Sequence, residues 1–145
     1  MLRRLSLVPV FYAVVTLLAT HSHPSTAVCL KGRPSVPDEY VHSDAVLIGQ
    51  VVGHRAVPEG DGYYEGDGYS MRVRELFRGN VPASFEVFSE NSSGRFPMEV
   101  RRAYLIFIHR ERGRLMVDNC GNSGVLAASA AALDTVRQLH RKAPS

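Results

Sequence analysis

The sequence predicts a mainly β protein: a small five-stranded antiparallel barrel with a C-terminal helix, placed behind a signal peptide. Three observations carry this. Five short β-type runs are separated by turn signals. Glycine or a broken alternation inside two of those runs marks bends that a small barrel requires. One apolar stripe at helical spacing ends the chain.

The N-terminus is read first. Arg3 and Arg4 precede an apolar run, Leu5 to Leu18, and a polar stretch ends in Ser25-Thr26-Ala27. Small residues at 25 and 27 suit signal-peptidase cleavage after Ala27. The run falls short of the ~20 apolar residues that span a bilayer, and Pro9 interrupts it. An uncleaved anchor is the alternative. Lipid attachment at Cys29 is disfavoured, because Val28 stands where that signal has a smaller residue. The expected division is residues 1–27 as signal and residues 28–145 as one domain, with no stable membrane insertion after cleavage.

Cleavage changes the charge. Lys plus Arg falls from 17 to 15 against 14 Asp and Glu, so the net charge falls from +3 to +1. That balance offers no broad cationic field for nucleic acid. Export places the protein outside the cytoplasm, secreted or in the periplasm or cell envelope. Both Cys29 and Cys120 survive cleavage. An even count in an oxidising compartment favours a bridge between them, with two free thiols as the alternative.

The elements follow in order. Pro37 and the acidic pair Asp38-Glu39 read as one helical turn. Ala45 to Val52 is a buried strand, bent at Gly49. Glu-Gly-Asp-Gly-Tyr occurs twice, at 59–63 and 65–69, and its four glycines predict a loop or hairpin tip. Tyr69, Met71 and Val73 alternate with polar residues as a second strand, with a bulge at Glu75. Gly79-Asn80 turns the chain. Phe85 and Val87 mark a third strand, and Ser89 to Gly94 a polar loop.

Tyr104 to Ile108 is apolar throughout and so central. Glu111 to Arg114 turns into a fifth strand, Leu115 to Val117. Ser129 is placed to cap a helix whose stripe is Ala132, Leu133, Val136 and Leu139. Five strands fit an OB-type barrel, whereas a β-sandwich takes about seven.

These segments, in order, resemble the inhibitory domain of tissue inhibitors of metalloproteinases, a branch of the netrin-like OB folds. Ser43 to Val52, opening Ser43-Asp44-Ala45-Val46, looks like the family's first strand. Met71 to Gly79 looks like its second, ending in an aromatic, a basic residue and Gly. Ala103-Tyr104-Leu105-Ile106 looks like its Tyr-Leu strand. Leu115 to Cys120 looks like the strand that ends in a bridged Cys. The likeness covers most of residues 28–140.

The departures are specific. The family's mature chain begins Cys-x-Cys, and the first Cys chelates the target's zinc through its free amine and carbonyl. Cys29 with Cys120 matches the second Cys and its partner. Ala27 stands at the first Cys, Ser93 at that residue's partner, and His42 at a third bridge. One bridge of three persists. The resemblance implies a monomeric barrel that binds a protein, with an extracytoplasmic metalloprotease as the sharpest version of that partner.

If the bridge forms, Val28, Cys29 and Leu30 lie beside the turn Asn119, Gly121 and Asn122 and make an exposed ridge. The alternative is that the turn only steers the chain. Tyr63 and Tyr64 are the expected contact anchors from the first inter-strand loop. Glu59, Asp61, Glu65 and Asp67 offer a second reading, convergence on calcium, although their spacing is not that of an EF-hand. A small-ligand module at the same loop and a purely structural envelope protein stay open beside it. Asn91-Ser92-Ser93 is a glycosylation sequon, relevant only in a host that glycosylates. No cofactor, resident metal site or catalytic set is expected. His42, His54, His109 and His140 share no ligand spacing, and no serine sits in a nucleophile elbow.

Overall fold

The computed structural model describes residue 29, residues 32–60 and residues 62–143. The expected signal segment, Val28, Leu30 and Asp61 lie outside these residues.

The fold is mainly β, a six-stranded mixed sheet with a C-terminal helix. A short helix, α1 (Val36–His42), comes first, with Pro37 in its first turn. Ser35 caps it by accepting a hydrogen bond from the Asp38 amide at 3.2 Å. The strands are β1 (Ala45–Pro58), β2 (Tyr64–Gly79), β3 (Ser84–Glu90), β4 (Ala103–Glu111), β5 (Arg114–Met116) and β6 (Gly124–Val125). A 3-10 turn, Leu126–Ala128, leads into α2 (Ala130–Lys142).

The pairings run from β1 to β2, β2 to β3, β3 to β5, β5 to β4, and from β4 back to β1. β6 adds to β4. All are antiparallel except β3–β5, which is parallel through Phe88 and Met116. This corrects the all-antiparallel expectation. The β4–β5 hairpin brings β5 back alongside β3 in the same direction, so its strand meets two neighbours of opposite sense.

The first half of β1 and the middle of β4 are buried on both faces. Ala45, Leu47, Val51, Tyr104, Ile106 and Ile108 pack inward with Met71, Val87 and Val117. Val46, Ile48, Leu105 and Phe107 pack outward under Tyr40, Phe77 and Val136. The central position expected for Tyr104 to Ile108 is borne out. So is the α2 stripe: Ala132, Leu133, Val136 and Leu139 cover that second cluster. No helix among the described residues is long and apolar enough to cross a membrane.

Several boundaries differ from expectation. The first two strands are much longer. The second Glu-Gly-Asp-Gly-Tyr copy is not loop but strand, because Gly66, Asp67, Gly68 and Tyr69 pair with Val57, Ala56, Arg55 and His54. Gly66 serves close packing there: a Cβ would fall 2.3 Å from the Ser89 carbonyl oxygen. Of the first copy, Glu59, Gly60, Gly62 and Tyr63 lie between the two strands. Register shifts lie at Ile48/Gly49, as expected, and at Val46/Leu47 and Val51/Gly53.

Ser89 and Glu90, read as loop, end β3, and β6 was not foreseen. The turn after β4 is borne out, with Arg112 at φ 49° and Gly113 at φ 83°. Ser129 precedes α2, but its hydroxyl donates to the Val125 carbonyl at 2.9 Å and caps nothing. The 3-10 turn presents that carbonyl first.

Candidate functional site

Cys29 and Cys120 form a disulfide, with their Cα atoms 5.5 Å apart. The chain around it is fixed by short-range polar contacts. Asp118 Oδ1 accepts the Cys120 amide at 2.7 Å, which turns the chain as it leaves β5. The Asn119 amide donates to the Gly94 carbonyl at 2.8 Å. The loop before it is drawn tight by Ser92, whose Oγ accepts the Gly94 amide at 3.2 Å. On the N-terminal side, Gly32 donates to the Cys29 carbonyl at 3.0 Å. The bridge, the 92–94 loop and the 118–120 turn therefore meet at one place.

Glu39 of α1 clamps this region from below. Its Oε2 accepts both the backbone amide and the Nδ2 of Asn122, each at 2.6 Å. Asn122 Nδ2 also donates to the Pro34 carbonyl at 3.0 Å. Burial raises the Glu39 carboxyl above the ordinary carboxylate range, and Asp118 adds to this, against the lowering effect of the Asn122 hydrogen bonds.

These contacts divide the expected ridge residues. Gly121 is buried against Glu39, and Asn122 is spent on Glu39 and Pro34. Both hold the ridge together from inside. Cys29, Asn119 and Cys120 remain partly exposed.

A cleft of about 400 Å³ opens beside the bridge. Glu90, His109, Glu111, Met116 and Asp118 line it with the 92–94 loop. A smaller one, about 260 Å³, lies on the other side of Cys120, against Glu39, His42 and Phe107. Acidic groups dominate the first, and the second sets Glu39 and Asp118 beside His42 and His109.

The hairpin tip is tied to this surface. The Asn91 amide donates to the Glu65 carbonyl at 2.8 Å, and its Nδ2 donates to the Tyr64 carbonyl at 3.1 Å. The two expected anchors separate in role. Tyr63 is 71% exposed. Tyr64 lies under Arg95, whose guanidinium stands 5.3 Å from the ring centre and donates to the hydroxyl at 3.0 Å.

Beneath Tyr64 is a polar centre that the sequence reading missed. Asp67 is only 1% exposed. Its Oδ1 lies 2.6 Å from His54 Nε2, and its Oδ2 accepts Arg95 Nε and Nη2 at 2.9 and 2.7 Å. Burial pushes the Asp67 carboxyl up, but hydrogen bonds from Tyr64, His54 and Arg95, with the Arg95 charge, outweigh it and hold the group below its usual value. His54 also stacks on Tyr69, 5.0 Å between ring centres. A signal existed. Asp67 is in phase with Tyr69, Met71 and Val73, so extending that alternation by one step places a carboxylate on the inward face and demands partners for it.

Two of the repeat's described acidic side chains are taken up by arginines. Asp67 is engaged by Arg95, and Glu65 pairs with Arg114. Among the described residues no group of three His, Cys, Asp or Glu side chains is placed to hold a metal.

In comparison with known proteins, the chain matches no family model and no curated protein.

Proposed function

We propose that residues 28–145 form an exported, non-catalytic protein-binding module of the netrin-like type, with inhibition of an extracytoplasmic metalloprotease as its sharpest form. The ring of pairings, β1-β2-β3-β5-β4 and back to β1, supports an OB-type barrel in which every one of these strands has two neighbours. The observation that carries the functional reading is the position of the Cys29–Cys120 bridge. It ties the chain one residue from the expected new N-terminus beside the 92–94 loop and the 118–120 turn, at the mouth of a cleft.

A ridge so tied loses little freedom on binding. Cys29 and Asn119 offer it to a partner, flanked in sequence by Val28 and Leu30, and Tyr63 adds an exposed aromatic anchor at the hairpin tip. Ser93 faces this region from the 92–94 loop. In the resembled family that position holds the Cys that fixes the zinc-chelating residue. The chelating Cys and its bridge are absent from this sequence, so the amine of Val28 would approach a metal without that restraint.

Purified residues 28–145 titrated against a panel of zinc proteases test the inhibitor form. Slowed turnover at micromolar protein, reduced by Tyr63→Ala, supports it; full activity of every protease at those levels removes it. Intact-mass measurement of the exported protein tests the processing on which it rests, since it reads the N-terminus, any lipid and the thiol state together.

A further inference from the structure

The β4–β5 hairpin separates two clefts of opposite charge. His109 pairs with Met116 and Arg110 with Leu115, so the two pairs project to opposite faces of the hairpin. His109, Glu111 and Met116 line the acidic cleft beside the disulfide. Arg110 and Leu115 line the other, of about 480 Å³.

The second cleft has an apolar floor of Val57, Phe85, Phe88 and Leu115. Three arginines, Arg55, Arg110 and Arg114, line it against one acidic residue, Glu86. Two of the three are occupied. Arg55 makes paired hydrogen bonds to Glu86. Arg114 pairs with Glu65 and lies 4.9 Å above the Phe88 ring centre. Arg110 makes no ion pair among the described residues. Its backbone amide donates to Asp44 Oδ2 at 2.6 Å.

An unpaired guanidinium beside a concave apolar floor selects an anion with an apolar body. We propose that this cleft binds a small apolar carboxylate, an aryl-alkyl or medium-chain alkyl acid, with the carboxylate on Arg110 and the tail on Phe85, Phe88 and Leu115. Guanidinium and carboxylate match in planar, two-point geometry. The volume lies in the range of small-molecule sites, about 300–1,000 Å³. One surplus cation is too few to neutralise a run of phosphates, so a nucleic-acid strand is the poorer occupant. The site lies on the opposite face of the hairpin from the disulfide ridge and stands independently of the protein-binding reading.

Amide-resolved NMR titration of residues 28–145 with octanoate and 3-phenylpropionate is the test, with 1-octanol as the uncharged control. The proposal expects saturable shifts centred on Phe85, Phe88, Arg110 and Leu115. It expects 1-octanol to bind about tenfold or more weakly, and Arg110→Gln to weaken octanoate by a similar factor. Arg110 is exposed, and an unchanged amide spectrum of the free variant shows the fold intact. Absence of saturable shifts up to about 10 mM overturns the proposal, as do shifts centred elsewhere or equal binding of octanoate by Arg110→Gln. Binding of a peptide with a free C-terminal phenylalanine where octanoate fails also overturns it, in favour of a protein chain end. None of these failures touches the protease titration.

Discussion

Glu39 occupies the space that a side chain at position 121 would need. A Cβ on Gly121 would fall 2.0 Å from Glu39 Oε1. The carboxylate can therefore reach the Asn122 amide only because residue 121 is glycine. Gly121→Ala should cost about 1–3 kcal/mol, read as a lower midpoint in urea at unchanged slope. The pair Gly121→Ala with Glu39→Ala should cost less than the sum of the two single changes, because the second removes the clash.

The bridge closes a loop of 91 residues. Chain entropy for a loop of this length is worth about 4–5 kcal/mol. Reduction, or Cys29→Ser with Cys120→Ser, should lower stability by up to that amount in denaturant titration. The amide signals of Asn119 and Asn122 should move most, since Asn119 adjoins Cys120 and the partner of Asn122, Glu39, follows Cys29 in the chain.

Asp67 sets one part of the acid response. Its folded-state value lies below the unfolded value of about 3.9. Its contribution is fully present above the unfolded value and is lost as pH falls through the folded one. Glu39, raised by burial, acts in the opposite sense: it disfavours the folded state above its folded-state value and ceases to do so at lower pH. Asp67→Asn should cost about 1–3 kcal/mol at neutral pH. The difference between parent and variant should shrink below about pH 4, measured as denaturation midpoints across pH.

Tyr63 and Tyr64 should respond differently despite being neighbours. Tyr63→Ala should leave stability within about 0.5 kcal/mol, because the side chain touches solvent. Tyr64→Ala should cost about 1–2 kcal/mol, since it removes the stack under Arg95 and a hydroxyl that Arg95 donates to. Thermal melts of the two variants decide this.

Much of the fold was legible because burial writes a pattern. Tyr104 to Ile108 read as central from its unbroken apolar run, and the α2 stripe read from its spacing. Where glycine carries the pattern, composition misleads. Gly66 and Gly68 looked like turn residues, yet each sits in β2. In a strand, glycine records how close a neighbouring chain comes, which local sequence cannot reveal.

The site was legible in its cysteines and less so in its turn. Gly121 and Asn122 looked like surface because Asn-Gly runs usually are. Their partner, Glu39, lies 83 positions from Asn122 in sequence, and only tertiary folding brings a buried carboxylate to them. β6, two residues long, carries too short a pattern to register.

The order in which the chain is made bears on the clasp between its two cysteines. Synthesis delivers Cys29 long before Cys120, which lies 91 positions later. During that interval every strand from β1 to β5 can emerge, while the early thiol waits without its mate. While Cys120 is still to come, any pairing of those strands proceeds without the covalent link, which then locks the arrangement it finds. An oxidant arriving too early finds a single thiol, whose available disulfide partner is then another molecule.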